Sequence, residues 1–228
     1  MMAPAHIFWF RSLKRDRVML ALSTIQLALF APIAWWAHKH PQPPVELAII
    51  DVVQKKRPPF LQFVIRTLST LAGSAALLNV LVVPTAIVLW RRRLRLEATM
   101  AIGISWTCAL VRILIRQVVS RPRPNPLLVH ISARKQTKSF PSGHVTSSLT
   151  FWGWLFALGI LQWRGSRPWQ KALLSLPAMC IVLVGPTRIY LGEHWATDVL
   201  GGYLFGGGWL GLAVQVYLFL KNKGTQQV

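Results

Sequence analysis

Three short polar segments of this hydrophobic chain carry the residue types that phosphate chemistry needs. The last segment is the densest, with Arg188, His194 and Asp198 inside eleven residues. His194 and Asp198 are four residues apart, so at the start of a helix they would share one face. Gly192 allows the chain to turn between Arg188 and His194. Taken alone, this stretch fits a polar loop between two membrane spans as well as it fits a catalytic site.

The other two segments add arginines and a second histidine. Arg116 and Arg123 lie where an apolar run ends and the next loop begins, and Ser142, Gly143 and His144 open the following apolar run. The three segments are expected at one membrane surface. Ionisable groups at membrane depth are costly and usually functional. Their combination favours a catalytic site.

These residue types suit phosphoryl transfer. Arginine forks bind phosphate oxygens in pairs and keep their charge, so Arg116, Arg123 and Arg188 are expected to hold the phosphate. Ser142 and Gly143 lie where a helix begins, and their free N–H groups can face the same anion. Fixed donors of this kind also hold the charge that develops in the transition state.

The histidines supply the nucleophile and the proton transfers. Neutral His194 can attack phosphorus if Asp198 accepts the other ring N–H and fixes the tautomer. His144 can protonate the departing oxygen and then activate the water that hydrolyses the phosphohistidine. Glu193 and Asp198 are the only acids in these regions, too few for Mg²⁺, so neither a metal nor a cofactor is expected. Glu193 either tunes His194 or lies at the surface.

Composition indicates how these segments are carried. The chain has 228 residues, of which 53% are hydrophobic and only 14% are charged, against about a quarter in soluble domains. Apolar runs of roughly 20 residues recur, and that length crosses a bilayer as a helix. The sequence therefore predicts an all-α integral membrane protein, with residues 1–228 forming a single membrane domain. The net charge of +20 is spread between the apolar runs, which excludes a nucleic-acid partner and favours anionic lipid.

Six transmembrane helices in one bundle are predicted, at 18–37, 67–90, 98–118, 145–163, 172–190 and 195–220. Pro84 is expected to kink the second span, and residues 45–54 to lie in the membrane interface. The glycines of the last span, in Gly202-x-x-x-Gly206 and Gly207-x-x-x-Gly211, allow a close helix neighbour. An even number of spans puts both termini on one side. The basic N-terminal lead and the 91–95 arginine cluster predict that this side is the cytoplasm.

The three segments together resemble the type 2 phosphatidic acid phosphatases, membrane lipid phosphatases whose fold is shared with vanadium haloperoxidases. That family carries the motifs KxxxxxxRP, PSGH and SRxxxxxHxxxD. Here they read Arg116-x6-Arg123-Pro124, Pro141-Ser142-Gly143-His144 and Thr187-Arg188-x5-His194-x3-Asp198, over about residues 97–220. Arg116 replaces the usual Lys, and Thr187 the usual Ser.

The resemblance implies roles for these residues and a place in the cell. His194 would be the nucleophile and His144 the acid and base, while the phosphate site would comprise Arg116, Arg123, Ser142, Gly143 and Arg188. Family members of this size imply a bacterial inner-membrane enzyme whose site faces outward.

The expected function is a metal-independent lipid phosphatase acting on undecaprenyl diphosphate, phosphatidic acid or phosphatidylglycerol phosphate. A diphosphate is slightly favoured by the basic loop residues Arg121, Arg123, Arg134, Lys135 and Lys138. Arg121 is otherwise expected to add only to the general positive field, and Arg112 to be structural or interfacial. A lipid phosphotransferase and a non-catalytic binder of anionic lipid are the alternatives.

Overall fold

The computed structural model describes residues 5–132, 137–162 and 167–225, with side chains described from 16 to 223. Within these ranges the chain is helical and contains no strand. The helices are α1 (Ala5–Lys39), α2 (Pro44–Gln54), α3 (Pro59–Gly73), α4 (Ala75–Arg91), α5 (Arg95–Val119), α6 (Gly143–Gln162), α7 (Pro168–Tyr190) and α8 (Ala196–Thr225).

Five of the described helices are long and apolar enough to cross a membrane: Asp16–Lys39 of α1, then α5, α6, α7, and Ala196–Lys223 of α8. Helices α3 and α4 pass the same test as a pair bent by 46°, which counts as a sixth span by length and composition. The predicted all-α, six-span membrane bundle is therefore confirmed. The chain is a multi-pass membrane protein.

The second span bends at Ser74, before Pro84, where the sequence suggested a kink. The axes of α3 and α4 differ by 46°, whereas Pro84 lies inside α4. Ser74 leaves the helical region with φ −56° and ψ 113°, and its hydroxyl accepts a hydrogen bond from the Leu77 amide at 3.4 Å. A serine in that conformation caps a new helix, because it satisfies an amide that the helix leaves free. The break in the second span is therefore the N-cap of α4.

Helix α6 lies at the centre of the bundle. It packs against α3, α4, α5, α7 and α8, and it is the most buried of the five spans formed by a single helix. In the half of α6 remote from the polar segments, Trp154 meets Tyr217 edge to face, with ring centroids 5.2 Å apart. The Tyr217 hydroxyl and the Lys221 ammonium group both donate to Glu97, each at 2.8 Å. Packing and polar contacts of this kind hold helices together where lipid removes the hydrophobic driving force.

The glycines of α8 allow close helix neighbours, as predicted, and they do so on two sides of the helix. A Cβ at Gly202 would lie 2.9 Å from Val145 of α6, and one at Gly208 would lie 2.7 Å from Leu27 of α1. Since real Cβ atoms do not approach this closely, both neighbours require glycine there. The close packing on α6 fixes the start of α8 beside the start of α6, where two of the polar segments lie.

Candidate active site

The polar segments meet at one end of the bundle. The end of α5, the loop that follows it, the start of α6, the end of α7 and the start of α8 all contribute side chains. The Ser142 amide donates to the Asp198 carbonyl at 3.0 Å, which ties the α6 segment to the α8 segment. A backbone hydrogen bond therefore joins two of the three segments that the sequence placed at one end of the bundle.

His194 and Asp198 form a buried pair. The His194 Nδ1 atom lies 3.3 Å from Asp198 Oδ2, and the two residues are 1% and 0% exposed. His194 lies in the turn before α8 and not on the helix, whereas Asp198 is in the first turn. Asp198 Oδ2 also accepts the Trp195 amide at 3.0 Å, which caps α8. One carboxylate therefore starts the helix and orients the imidazole.

Arg123 contacts the other side of the imidazole. Its Nη1 atom lies 3.2 Å from His194 Nε2 and donates to the Glu193 carbonyl at 2.5 Å. Its Nε donates to the Thr137 carbonyl at 2.9 Å. Burial lowers the pKa of the Arg123 guanidinium, and the carboxylates of Glu193 and Asp198 oppose that shift. An arginine can only donate, so the contact with Nε2 assigns the ring proton to Nδ1, which faces Asp198.

Arg188 is held from two sides at the end of α7. Its Nη1 donates to the Ser69 hydroxyl of α3 at 2.6 Å, and its Nη2 forms an ion pair with Glu193. The Glu193 side chain is buried, which decides between the two sequence alternatives against a surface role. Gly192 turns the chain between them with φ +64°, and a Cβ there would overlap the His130 carbonyl. The predicted turn at Gly192 is confirmed.

Arg116 and Arg112 converge on the start of α6. A Cβ on Gly143 would lie 3.0 Å from Arg116 Nη2 and 2.9 Å from Arg112 Nη1. Arg116 Nη2 also donates to the Pro141 carbonyl at 3.3 Å. The glycine therefore leaves room for two guanidinium groups beside the first amides of α6, whose N–H groups have no partner within the helix.

The structure corrects the expected role of the Ser142 amide. Because that N–H donates to the Asp198 carbonyl, it is not free to face a phosphate. The Ser142 hydroxyl is instead buried without a hydrogen-bond partner among the described residues. The hydroxyl, together with the Gly143 amide, is what this segment can offer an anion.

His144 lies one residue into α6 and is partly exposed. Its backbone packs against the break between α3 and α4, where a Cβ on Gly73 would come within 2.9 Å of the His144 carbonyl. The bent span therefore fixes the position of the second histidine.

The expectation for Arg121 is wrong. This arginine is 1% exposed, and its guanidinium bridges two carboxylates, with Nη1 3.0 Å from Asp198 Oδ1 and Nη2 2.5 Å from Glu46 Oε2. It also lies over the Trp195 ring, 5.3 Å from the centroid. The Ser139 hydroxyl completes the shell of Asp198 and donates to its Oδ2 atom. Arg121 is therefore part of the support of the His–Asp pair.

Helix α2 brings Glu46 to this network from outside the three motifs. Glu46 Oε1 accepts the Thr197 amide at 2.7 Å, and the Gln54 amide group donates to the carbonyls of His130 and Tyr190 at 2.8 and 2.9 Å. The sequence places this segment in the interface but assigns it no role in the site. The sequence signal that could have revealed this role is Glu46 itself, an acid inside an apolar stretch, because a buried carboxylate requires a cationic partner.

Two further observations complete the site. No group of three or more His, Cys, Asp or Glu side chains that could hold a metal ion occurs in the described part of the chain. Arg134 and Lys135, which the sequence counts among the basic loop residues, lie outside the described residues.

Comparison with known proteins gives the class. The sequence model of the PAP2 superfamily matches residues 98–221. That match covers more than half of the chain, and the chain belongs to the PAP2 superfamily.

Individual relatives agree with this membership. Phosphatidylglycerophosphatase B of Bacillus subtilis is 28% identical over 151 residues, 66% of this chain and 72% of that protein. Undecaprenyl-diphosphatase of Sulfolobus acidocaldarius is 29% identical over 138 residues, 53% of this chain and 57% of that protein. A crystal structure of a transmembrane PAP2-type phosphatidylglycerolphosphate phosphatase from Bacillus subtilis superimposes with a TM-score of 0.71 at 23% identity, covering 84% of this chain and 94% of that one. That likeness establishes the fold.

Proposed function

We propose that this protein removes a phosphate group from a membrane lipid phosphate or diphosphate through a phosphohistidine on His194. The observation that supports this is the buried His194–Asp198 pair, 3.3 Å apart, in which the second ring nitrogen of His194, Nε2, lies 3.2 Å from Arg123. A histidine that is oriented on one nitrogen and faces a phosphate-binding cation on the other is arranged for attack on phosphorus. The chain is a phosphoric-ester hydrolase that acts on membrane lipids.

The first step forms the covalent intermediate. Arg116, Arg123 and Arg188 hold the phosphate oxygens, and the Ser142 hydroxyl adds a further donor. His194 Nε2 attacks phosphorus, and the bond from phosphorus to the leaving oxygen breaks. The departing oxygen takes a proton from His144. Asp198 stabilises the positive charge that grows on the imidazole.

The second step regenerates the enzyme. His144, now neutral, takes a proton from water, and the hydroxide formed attacks the phosphohistidine. The phosphorus–nitrogen bond breaks, inorganic phosphate leaves, and the lone pair returns to His194. The charge that develops on the phosphoryl oxygens is held by fixed guanidinium groups, which supply the role that a metal ion has in other phosphatases.

The substrate classes follow from the relatives and the charge. Phosphatidylglycerol phosphate and undecaprenyl diphosphate are the lipids in the names of the two relatives, and phosphatidic acid carries the same phosphate monoester. The arginines at the end of the bundle that carries the site suit an anionic head group. The surrounding membrane suits an acyl or prenyl chain. The basic clusters beside the first two spans support cytoplasmic termini. The bacterial inner membrane and an outward-facing site are proposed from the resemblance to bacterial lipid phosphatases such as the Bacillus subtilis relative.

Phosphate release from the purified protein in detergent tests the mechanism. We expect activity on lipid mono- or diphosphates with EDTA present, and its loss in His194→Ala. Acid-labile radiolabel should be retained on the protein during turnover, as a phosphohistidine requires. Abolition of activity by EDTA would refute the metal-independent mechanism. Full activity of His194→Ala would refute the nucleophile. Label transferred to an added lipid acceptor and not to water would show a phosphotransferase.

A further inference from the structure

Arg112 has a buried guanidinium group for which the described residues supply neither a hydrogen-bond acceptor nor a counter-ion. It lies in α5 one helical turn before Arg116 and is 6% exposed. Its Nε atom is buried without a hydrogen bond, and within the described ranges the side chain forms no ion pair. A guanidinium carries five donors, and a buried charge without hydrogen bonds or a counter-ion is costly. A residue of this kind fits a site that binds an anion.

The direction of the side chain identifies the site. Arg112 Nη1 and Arg116 Nη2 lie 2.9 and 3.0 Å from the point where a Cβ on Gly143 would be. These distances place the two groups no more than about 6 Å apart, and Arg116 interacts electrostatically with Arg123 and Asp198 as well. Arg112 is therefore continuous with the phosphate site. It lies one turn, about 5 Å, further toward the middle of the bundle.

The charges near the site are not balanced by its own acids. Arg121 is paired with Glu46 and Asp198, and Arg188 with Glu193. Of the arginines that converge on this end of the bundle, Arg112, Arg116 and Arg123 form no ion pair within 4 Å of a described carboxylate. A phosphate monoester carries about −1.5 to −2 near neutral pH, which leaves one of these three positive charges uncompensated. A diphosphate ester carries a second phosphate group that can compensate it.

We propose that Arg112 binds the lipid-attached phosphate of a diphosphate substrate, while the terminal phosphate faces His194. This rests on the proposed function and names its substrate class as lipid diphosphates. The lipid chain lies in the membrane, so the phosphate attached to it is the deeper one, and Arg112 is the deeper arginine. The bond that breaks joins the terminal phosphorus to the bridging oxygen. The products are a lipid monophosphate, which takes the proton from His144, and inorganic phosphate.

Farnesyl diphosphate and farnesyl monophosphate test this, because they share one chain and differ by one phosphate group. We compare kcat/KM for both in the wild type, Arg112→Gln and Arg112→Lys, with Arg95→Gln as the matched control. Arg95 is an exposed arginine at the opposite end of the same helix. A charge-assisted hydrogen bond contributes about 1.5–3 kcal/mol, or about 10- to 100-fold in kcat/KM.

We expect Arg112→Gln to lower kcat/KM by about 10- to 100-fold on the diphosphate and by less than about threefold on the monophosphate. For Arg112→Lys, kcat/KM on the diphosphate should lie between the values of the wild type and Arg112→Gln. Arg95→Gln should leave the ratio of kcat/KM for diphosphate and monophosphate unchanged. Equal losses on both substrates, or no loss on the diphosphate, would overturn the proposal. A second measurement needs no variant. Inorganic pyrophosphate should inhibit the wild type at about tenfold lower concentration than inorganic phosphate, and equal inhibition would count against a second subsite.

The same assay separates this proposal from the proposed function. A wild-type protein that releases phosphate from neither lipid defeats the proposed function. A wild-type protein that acts on the monophosphate alone, or keeps its preference after Arg112→Gln, defeats only the role of Arg112. If the wild type acts on the diphosphate alone, the two inhibition constants, measured in the wild type and in Arg112→Gln, replace the monophosphate arm.

Discussion

Replacing Arg121 should separate the support of the nucleophile from the phosphate site. The guanidinium donates to Glu46 at 2.5 Å, to the Thr197 hydroxyl at 2.6 Å and to Asp198 at 3.0 Å. Arg121→Met removes these hydrogen bonds and leaves two buried carboxylates without their shared cation. Breaking a buried ion pair on one side costs about 3–5 kcal/mol, so we expect a loss of that size in the free energy of unfolding.

Activity should fall for a different reason. Asp198 keeps its bonds from Ser139 and Trp195 on Oδ2 but loses its donor on Oδ1. A carboxylate that can rotate holds His194 less well, and the loss of one charge-assisted hydrogen bond corresponds to about 10- to 100-fold in kcat. KM and inhibition by inorganic phosphate should change little, because Arg121 has no place in the phosphate site.

The assay is a double-mutant cycle with Asp198→Asn, measured as kcat below the melting temperature of each variant. If Arg121 acts through Asp198, the double variant is no slower than Asp198→Asn alone. Glu97→Gln is the matched control, since it removes a buried carboxylate that pairs with Lys221 at the far end of the bundle. It should lower stability and leave kcat unchanged. Losses in kcat that multiply fully in the double variant would refute this reasoning, as would an unchanged kcat in folded Arg121→Met.

Three other substitutions have separable outcomes. Gly143→Ala should lower kcat/KM about tenfold by displacing two flexible guanidinium groups, with little change in melting temperature, while Gly103→Ala, whose Cβ meets nothing within 4 Å, should do neither. Gly192→Ala should lower the free energy of unfolding by about 2 kcal/mol or more in a denaturant titration, because it combines a positive φ with a clash; an unchanged midpoint would contradict the turn. Glu193→Gln should raise KM several-fold in steady-state kinetics by releasing Arg188, and a fall in kcat alone would argue against that role.

The sequence sufficed for the parts of the site that are local in the chain. His194, Asp198 and Gly192 lie within seven residues, and their mutual positions follow from a turn and the first turn of a helix. The spans were readable because a membrane helix is specified by length and apolarity. Most of their ends were displaced by four residues or fewer, but the second span begins at Pro59, eight residues before the predicted start at 67.

What the sequence did not give depends on contacts between distant residues. Glu46 and Arg121 are 75 positions apart, and nothing in either local pattern pairs them. Arg121 and Arg123 are both followed by proline, yet one is bound to carboxylates and the other faces the histidine. The bend at Ser74 was missed because a serine in an apolar run signals no break unless a tertiary contact favours the cap. The Ser142 amide was misassigned because its acceptor belongs to another helix.

The buried acids explain why the arginines at the end of the bundle that carries the site have different roles. A guanidinium that is paired with a carboxylate is held in place, as Arg121 is by Glu46 and Asp198, and it is neutralised as seen from the substrate. One without a carboxylate keeps its charge for an anion, and Arg116 is of that kind. Arg188 lies between these cases. Glu193 holds its guanidinium in position, while its Nε atom is buried without a hydrogen-bond partner among the described residues. The few acids of the chain thus determine which of its many cations remain able to bind phosphate.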